Sequence, residues 1–148
     1  MSALDHKALN RRWLEALNNG TWAEAEAADA LYTATHVLHD PMAPPGLAAG
    51  PQGMKEFLAP YFAAFPDLQF TVEDEIAEGD KVTTRYTARG THRGELMGMA
   101  PTGKHVTVTG IFISRVEVGK LAEMWLNWDA LGLMQQLGVI PQLAQAGA

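Results

Sequence analysis

A long extended segment that turns back on itself constrains the fold of this chain more than any other feature. Residues 104–116 are rich in Val, Thr, Ile and Phe, which suit a pleated, half-buried surface. The sequence EVGK at 117–120 then predicts a tight turn, because its glycine can adopt a positive φ. Residues 121–128 form the return strand of the predicted hairpin. Asp129 then opens a short helix, residues 130–137.

The segments before this hairpin place helices first and strands last. Apolar residues at spacings of three and four predict an amphipathic helix over residues 5–19. An alanine-rich helix from residue 21 to about residue 30 follows, and a third helix begins at Pro51. Residues 36–40 form a short extended segment between them, and two more strands are predicted at 68–77 and 81–92. This order indicates an α+β fold with three N-terminal helices on one face of an antiparallel sheet.

Composition excludes several classes of function. The 148 residues, of which 47% are hydrophobic, predict one globular domain spanning 1–148. A net charge of -6 and the absence of Lys or Arg runs argue against nucleic acid or an anionic membrane as a partner. There are no cysteines, and the histidines show no ligand spacing with carboxylates, so we expect no metal site. Without an apolar signal core or a membrane-length run, the expected location is the cytoplasm.

The turn positions predict which residues face each other. Tyr86 should lie opposite Gly110 and Thr84 opposite Phe112, and in the next hairpin Phe112 should lie opposite Met124. Because side chains alternate along a strand, the more apolar face should pack on the helices. That face collects Thr84, Tyr86, Ala88, Val106, Val108, Gly110, Phe112, Met124, Leu126 and Trp128. The opposite face carries Arg85, Thr87, Arg89, Thr107, Thr109 and Trp125, a polar surface that could form a subunit interface.

The order of several short motifs resembles a known family. GTHRGELMGMAPTGK precedes the long strand, an Arg-x3-Gly-Lys turn and a Trp-x3-Asp sequence follow it, and QQLG closes the region. HDP, AFPD and EGD occur earlier in the chain. Together these motifs resemble the SnoaL-like polyketide cyclases, and the match covers nearly the whole chain.

The resemblance implies a fold, a chemistry and an assembly. The fold is nuclear-transport-factor-2-like, in which a curved antiparallel sheet wraps around helices to form a cone with an internal pocket. The best-known members close the last ring of aromatic polyketides by an intramolecular aldol reaction, without a metal or organic cofactor. A homodimer through the outer sheet face is also implied.

The catalytic residues of the family do not carry over. The positions of its Gln, His and Asp fall on Gly110, Phe112 and Leu126, and none of these can exchange a proton. His39 matches an asparagine that helps to line the family's pocket. Function therefore has to be argued from the site itself.

Three side chains are candidates for acid or base chemistry. His39 carries an imidazole, a group that can serve as acid or base, but it could equally be a hydrogen-bonded histidine at a strand end. Tyr86, on the inner face, could donate to a carbonyl oxygen or be an ordinary core tyrosine. Asp129 is the nearest carboxylate to the missing aspartate, although a helix N-cap is the more common use of such a residue.

These observations predict an apolar pocket with His39 and Tyr86 as its main polar groups. Its walls should be built by Leu17, Phe57, Phe112, Met124, Leu126 and Trp128. The expected ligand is an apolar, ring-containing molecule with a carbonyl group. The chain would be a cofactor-independent cyclase or isomerase-like enzyme with altered catalytic residues, or else a non-catalytic binding protein of the same fold.

Overall fold

The computed structural model describes residues 2–141, which form an α+β fold of helices packed in a curled open sheet. A 3-10 turn, Thr21–Ala23, joins the first two helices. The elements in chain order are α1 (Ala3–Asn19), α2 (Ala25–Leu31), β1 (Tyr32–His39), α3 (Pro51–Ala64), β2 (Gln69–Glu78), β3 (Lys81–Thr91), β4 (His105–Glu117), β5 (Lys120–Trp128) and α4 (Ala130–Gln136). The predicted fold class is confirmed.

The sheet has the order β1-β5-β4-β3-β2 and is mixed. Strands β2 to β5 form an antiparallel meander, as expected. β1 instead pairs in parallel with β5, with His39 beside Trp125, so the expectation of a purely antiparallel sheet is wrong in this detail. β1 is also eight residues long, whereas the sequence indicated only a short extended segment. Its partner lies far away in the sequence, so no turn signal could reveal the pairing.

The predicted register holds between β3 and β4 and shifts between β4 and β5. Tyr86 faces Gly110 and Thr84 faces Phe112. Phe112, however, faces Leu126 rather than Met124, because an irregularity near the turn displaces the pairing. The displacement amounts to two residues relative to the prediction, so each side chain stays on its predicted face.

Local signals explain where the first helix begins and ends. Ser2 and Asp5 form a capping box, in which the Asp5 N–H donates to Ser2 Oγ (3.2 Å) and the Ser2 N–H donates to Asp5 Oδ2 (2.9 Å). Gly20 closes the helix with a φ of 83°, a conformation that glycine adopts without strain. The helix then presents its buried face to the sheet through Leu9, Trp13 and Leu17.

Two apolar clusters fill the space between helices and sheet. The larger lies between α1, α3 and the inner face of β3, β4 and β5, and includes Leu9, Trp13, Phe57, Phe112 and Met124. The smaller is formed at the other end of the sheet by α4 and its neighbours: Ala64, Phe65, Leu96, Val106, Val108, Leu133 and Leu137. An open space remains where the two clusters meet.

Candidate functional site

A cavity of about 100 Å³ lies between α1, α3 and the inner face of the sheet. Residues from both apolar clusters form its wall, which is almost entirely hydrocarbon. Tyr86 and the six residues expected to contact a ligand all contribute to this wall: Leu17, Phe57, Phe112, Met124, Leu126 and Trp128. Trp13, Met54, Tyr61, Phe65, Phe70, Val108 and Leu133 are further wall residues.

The size of the cavity limits what it can hold. An engineered apolar cavity of about 150 Å³ is large enough to bind benzene. The space here, about 100 Å³, therefore suits one ring at most. Tyr61, Leu68, Phe70 and Trp128 are half-buried wall residues, so the cavity is not fully closed off from solvent. The remainder of a larger ligand would extend out past the half-buried part of the wall.

Tyr86 supplies a phenol to the cavity wall. It lies in the middle of β3, and its ring packs against Phe70 and Phe112 with centroid distances of 5.5 and 5.8 Å. Burial raises the pKa of Tyr86, and the carboxylate of Asp40 and the phenol of Tyr61 raise it further. Tyr86 is therefore protonated at neutral pH and can donate a hydrogen bond to an acceptor in the cavity.

Gly110 explains why the Tyr86 phenol can lie where it does. The two residues face each other across β3 and β4. A Cβ atom on residue 110 would lie 2.4 Å from the Tyr86 hydroxyl oxygen, which is closer than such atoms approach. The phenol thus occupies the space that a side chain on β4 would fill, and the polar group at this point of the wall comes from β3.

Asp40 is a polar group next to the cavity wall that the sequence analysis missed. It follows β1 directly, and its Oδ2 accepts a hydrogen bond from Trp128 Nε1 (3.2 Å) at the end of β5. Its Oδ1 accepts from the Met42 N–H (2.8 Å). Burial raises the pKa of Asp40, and these two hydrogen bonds oppose the increase. The carboxylate is half-buried beside a wall residue of the cavity.

Tyr61 brings a second phenol to the same region from α3. Its ring meets Trp128 edge-on, with a centroid distance of 5.5 Å. Burial raises the pKa of Tyr61 to about 12, with a further contribution from the negative charge of Asp40. Asp40, Tyr61, Tyr86 and Trp128 are referred to below as the polar cluster. Strands β1, β3 and β5 and helix α3 each contribute one member.

His39 does not line the cavity, so this expectation is wrong. Its Nε2 lies 2.6 Å from Glu123 Oε2, and its ring stacks on Trp125 at 5.5 Å. Glu123 also accepts from Arg115, and all these side chains lie on the outer face of the sheet. The cause is the alternation of side chains along β1, which turns Leu38 inward and His39 outward.

Asp129 is the N-cap of α4. Its Oδ1 accepts a hydrogen bond from the Gly132 N–H at 2.8 Å. A Cβ on residue 132 would lie 2.1 Å from Asp129 Oδ2, so the cap fits closely against a glycine. The side chain is exposed and is not part of the cavity wall. Its geometry is that of the helix cap considered as the alternative.

His36 is a buried histidine that the sequence analysis did not select. It is only 1% exposed, its ring meets Tyr32 edge-on at 5.0 Å, and neither ring nitrogen has a hydrogen-bond partner among the described residues. Burial lowers the pKa of His36 to about 4, so the ring is neutral at neutral pH.

Within residues 2–141, no group of three or more His, Asp and Glu side chains is arranged to hold a metal ion. In the same part of the chain, no helix has the length and apolar character needed to cross a membrane.

Comparison with known proteins places the chain in a family. The family model described as SnoaL-like polyketide cyclase matches residues 7–137. The chain belongs to the SnoaL-like polyketide cyclase family. No curated protein sequence is similar enough to the chain to count as a match.

Several solved structures resemble the chain over nearly its whole length. AclR from Streptomyces galilaeus, a candidate hydroxylase, is 27% identical with a TM-score of 0.82, covering 99% of this chain and 91% of AclR. TsrD from Streptomyces laurentii is 28% identical, with a TM-score of 0.80 and coverage of 95% and 99%. IdmH from Streptomyces antibioticus, a candidate polyketide cyclase, is 34% identical, with a TM-score of 0.78 and coverage of 90% and 99%.

Proposed function

We propose that this chain is a cofactor-independent enzyme of the cyclase or isomerase type that acts on an apolar, ring-containing molecule with a carbonyl group. The observation that carries the proposal is the position of Tyr86, deep in a cavity wall that is almost entirely hydrocarbon. A protonated phenol in such a place can hold a carbonyl oxygen and stabilise the negative charge that develops on it. Membership of the SnoaL-like polyketide cyclase family supports this class of reaction.

The hydrogen bond from Tyr86 would select for the carbonyl group. Within the described residues the phenol makes no hydrogen bond of its own, so a ligand oxygen would be its partner. Leaving a buried polar partner unpaired costs about 1–3 kcal/mol, which favours ligands that carry an acceptor at this point. The apolar wall would bind the ring itself.

The alternative is a binding protein of the same fold without catalysis. Phe112 and Leu126, which occupy the positions of the family's catalytic His and Asp, are apolar wall residues of the cavity. A chain that has lost both groups could retain the pocket and bind a metabolite without changing it.

Binding of two matched probes tests the cavity. Acetophenone has one ring and one carbonyl, whereas ethylbenzene has the ring without the carbonyl. Both should quench the fluorescence of Trp13 and Trp128, which line the cavity. Tyr86→Phe should weaken acetophenone binding by about tenfold, the equivalent of one buried hydrogen bond, and leave ethylbenzene binding unchanged. Failure of both probes to bind the unaltered protein would contradict the proposal.

We further propose that two copies of the chain associate through the outer face of the sheet. This face carries an ion-pair network of His39, Glu123 and Arg115 and a partly buried Trp125. Ile111, Thr107 and Thr109 are exposed beside it. Large side chains on an exposed sheet face suit an isologous contact, in which the same face of each copy meets the other.

A further inference from the structure

We propose that Asp40 is the general base of this site. Its carboxylate would remove a proton from a carbon next to the ligand carbonyl while Tyr86 holds the carbonyl oxygen. This assignment rests on the proposed function, because it needs a carbonyl ligand in the cavity. The candidate base is thus Asp40, and not His39, the preceding residue that the sequence analysis selected.

The parallel pairing of β1 and β5 places Asp40 beside Trp128, a wall residue of the cavity. Parallel strands end at the same edge of a sheet, so the residue after β1 lies close to Trp128, the last residue of β5. Asp40 also shares the inward side of β1 with Leu38, which packs against the main core. Its hydrogen bond with Trp128 then fixes the carboxylate against a cavity wall residue.

The hydrogen bonds of Asp40 leave it able to accept a proton. Each carboxylate oxygen receives one hydrogen bond, from the Met42 N–H and from Trp128 Nε1, and an oxygen of a carboxylate can accept two. The two donors fix the orientation of the group without neutralising it. A positioned carboxylate of this kind suits general-base catalysis, since it need not reorganise during the reaction.

The electrostatics of the polar cluster suit the same role. Burial raises the pKa of Asp40 and makes the carboxylate a stronger base than one in water. The charge of Asp40 contributes to the raised pKa values of Tyr61 and Tyr86, so both phenols remain protonated while Asp40 is ionised. One group is thus set to take a proton and another to donate a hydrogen bond.

The chemical step is balanced without a cofactor. The C–H bond next to the carbonyl breaks, its proton forms an O–H bond at Asp40, and its electron pair becomes an enolate whose oxygen accepts from Tyr86. The enolate then follows one of two routes: where a carbon–carbon double bond is conjugated with it, the far carbon of that bond takes the proton from Asp40 and the double bond shifts; otherwise the α-carbon attacks a second carbonyl of the same molecule. In the second case the alkoxide formed takes the proton back from Asp40. Nothing is oxidised or reduced.

Exchange of α-protons in acetophenone tests the base directly. The probe is dissolved with the protein in D₂O, and loss of its methyl proton signal is followed by NMR. The unaltered protein should accelerate the exchange over buffer. Asp40→Asn should reduce that acceleration by about 100-fold or more, the range of general-base catalysis, while acetophenone binding stays within about twofold.

A matched control and a rescue separate chemistry from folding. Asp74→Asn removes another carboxylate, which pairs with Arg85 on exposed sheet surface, and should leave exchange unchanged. Asp40→Ala opens a space beside Trp128 in which added formate can act as the base, so formate should restore exchange. If Asp40→Asn fails to fold, as judged by circular dichroism, the formate experiment decides the question.

The outcomes distinguish this inference from the proposed function. If acetophenone does not bind the unaltered protein, the proposed function is contradicted. If it binds but is not exchanged, or if Asp40→Asn exchanges it at the full rate, the role of Asp40 is overturned and the binding-protein alternative stands. Failure of formate to restore exchange in a folded Asp40→Ala variant would also overturn it.

The pH dependence of proton exchange distinguishes a catalytic Asp40 from a purely structural one, since a structural role would not change it. Exchange should rise with pH as Asp40 loses its proton, above the ordinary aspartate range. Trp128→Phe keeps a ring at this position but removes the donor that stabilises the carboxylate, so the pKa of Asp40 should rise and the profile should shift to higher pH. A profile that does not move in Trp128→Phe would contradict a titrating Asp40.

Discussion

At position 110 the chain has no side chain, and the phenol of Tyr86 fills the space where one would lie. A methyl group on residue 110 must displace the ring, and overpacking of this kind costs about 1–3 kcal/mol. Gly110→Ala should therefore lower the free energy of unfolding measured in urea by this amount. The same substitution should cost clearly less in a Tyr86→Ala background. Equal costs in the two backgrounds would show that the ring is not the obstacle.

His36 should make stability depend on pH. The folded protein holds the pKa of His36 near 4, whereas the unfolded chain takes up the proton near the ordinary value of 6.5. The unfolding free energy should therefore fall as the pH decreases from 6.5 to 4, by about 3 kcal/mol at most, since one pKa unit corresponds to about 1.36 kcal/mol.

Replacing the imidazole isolates this contribution. In His36→Leu an apolar side chain of similar size, which cannot be protonated, replaces the imidazole. The unfolding free energy of this variant should therefore lack the part of the pH dependence that comes from His36. The difference between the two proteins in urea titrations at pH 7.5 and pH 5 measures the effect. A difference that is the same at both pH values would contradict a buried neutral His36.

At the scale of elements, the hairpin between β4 and β5 contains a strained turn. Val118 has a φ of 50° and Gly119 a φ of 74°, the pair of positive angles that a two-residue hairpin turn requires. Valine is unfavourable in this conformation, and asparagine tolerates it. Val118 is 96% exposed, so replacing it loses no packing.

Val118→Asn should consequently raise the melting temperature and add about 1 kcal/mol to the free energy of unfolding. Val118→Thr is the matched control, because it adds a polar group but keeps the branched Cβ that causes the strain. A gain of the same size in Val118→Thr would mean that polarity, and not backbone conformation, produces the effect.

The same elements show what a sequence can predict. The turn at 117–120 and the glycine-rich connection at 93–104 join strands that are neighbours in the chain, so they determine which side chains share a face. The face assignments of Tyr86, Phe112 and Leu126 followed directly from alternation. No turn connects β1 to its partner, β5. The sequence therefore could not show which of the alternating side chains of β1 face the helices.

The wrong expectation for His39 arose because no turn connects β1 to β5. A family position identified the end of β1 as part of the pocket, but the side chain of His39 is not among the cavity wall residues. The parallel register with β5 turns His39 outward and leaves Asp40 beside Trp128. One residue in sequence separates the two faces of a strand, and only the paired strand decides which residue faces the helices.

At the scale of the whole molecule, the outer face of the sheet predicts the assembly. We expect light scattering coupled to size exclusion to give twice the mass of one 16.0 kDa chain at micromolar concentration. Trp125→Glu places a negative charge beside Glu123 at the centre of this face and should convert the protein to monomers. Val118→Asn, at the tip of the hairpin, should not change the mass. A single-chain mass for the unaltered protein would contradict the dimer.

The parallel strand β1 also has a consequence for the order in which the molecule assembles. Each of the strands β2 to β4 pairs with the next strand in the sequence, whereas β1 pairs with β5, from which β2, β3 and β4 separate it in the chain. Contacts that close the longest loops form late, and an edge strand is the easiest to release again. Asp40 reaches Trp128 only when β1 docks. The opening of this one strand would therefore remove the carboxylate from the cavity while the rest of the sheet stays intact, so native-state hydrogen exchange should be faster in β1 than in β4.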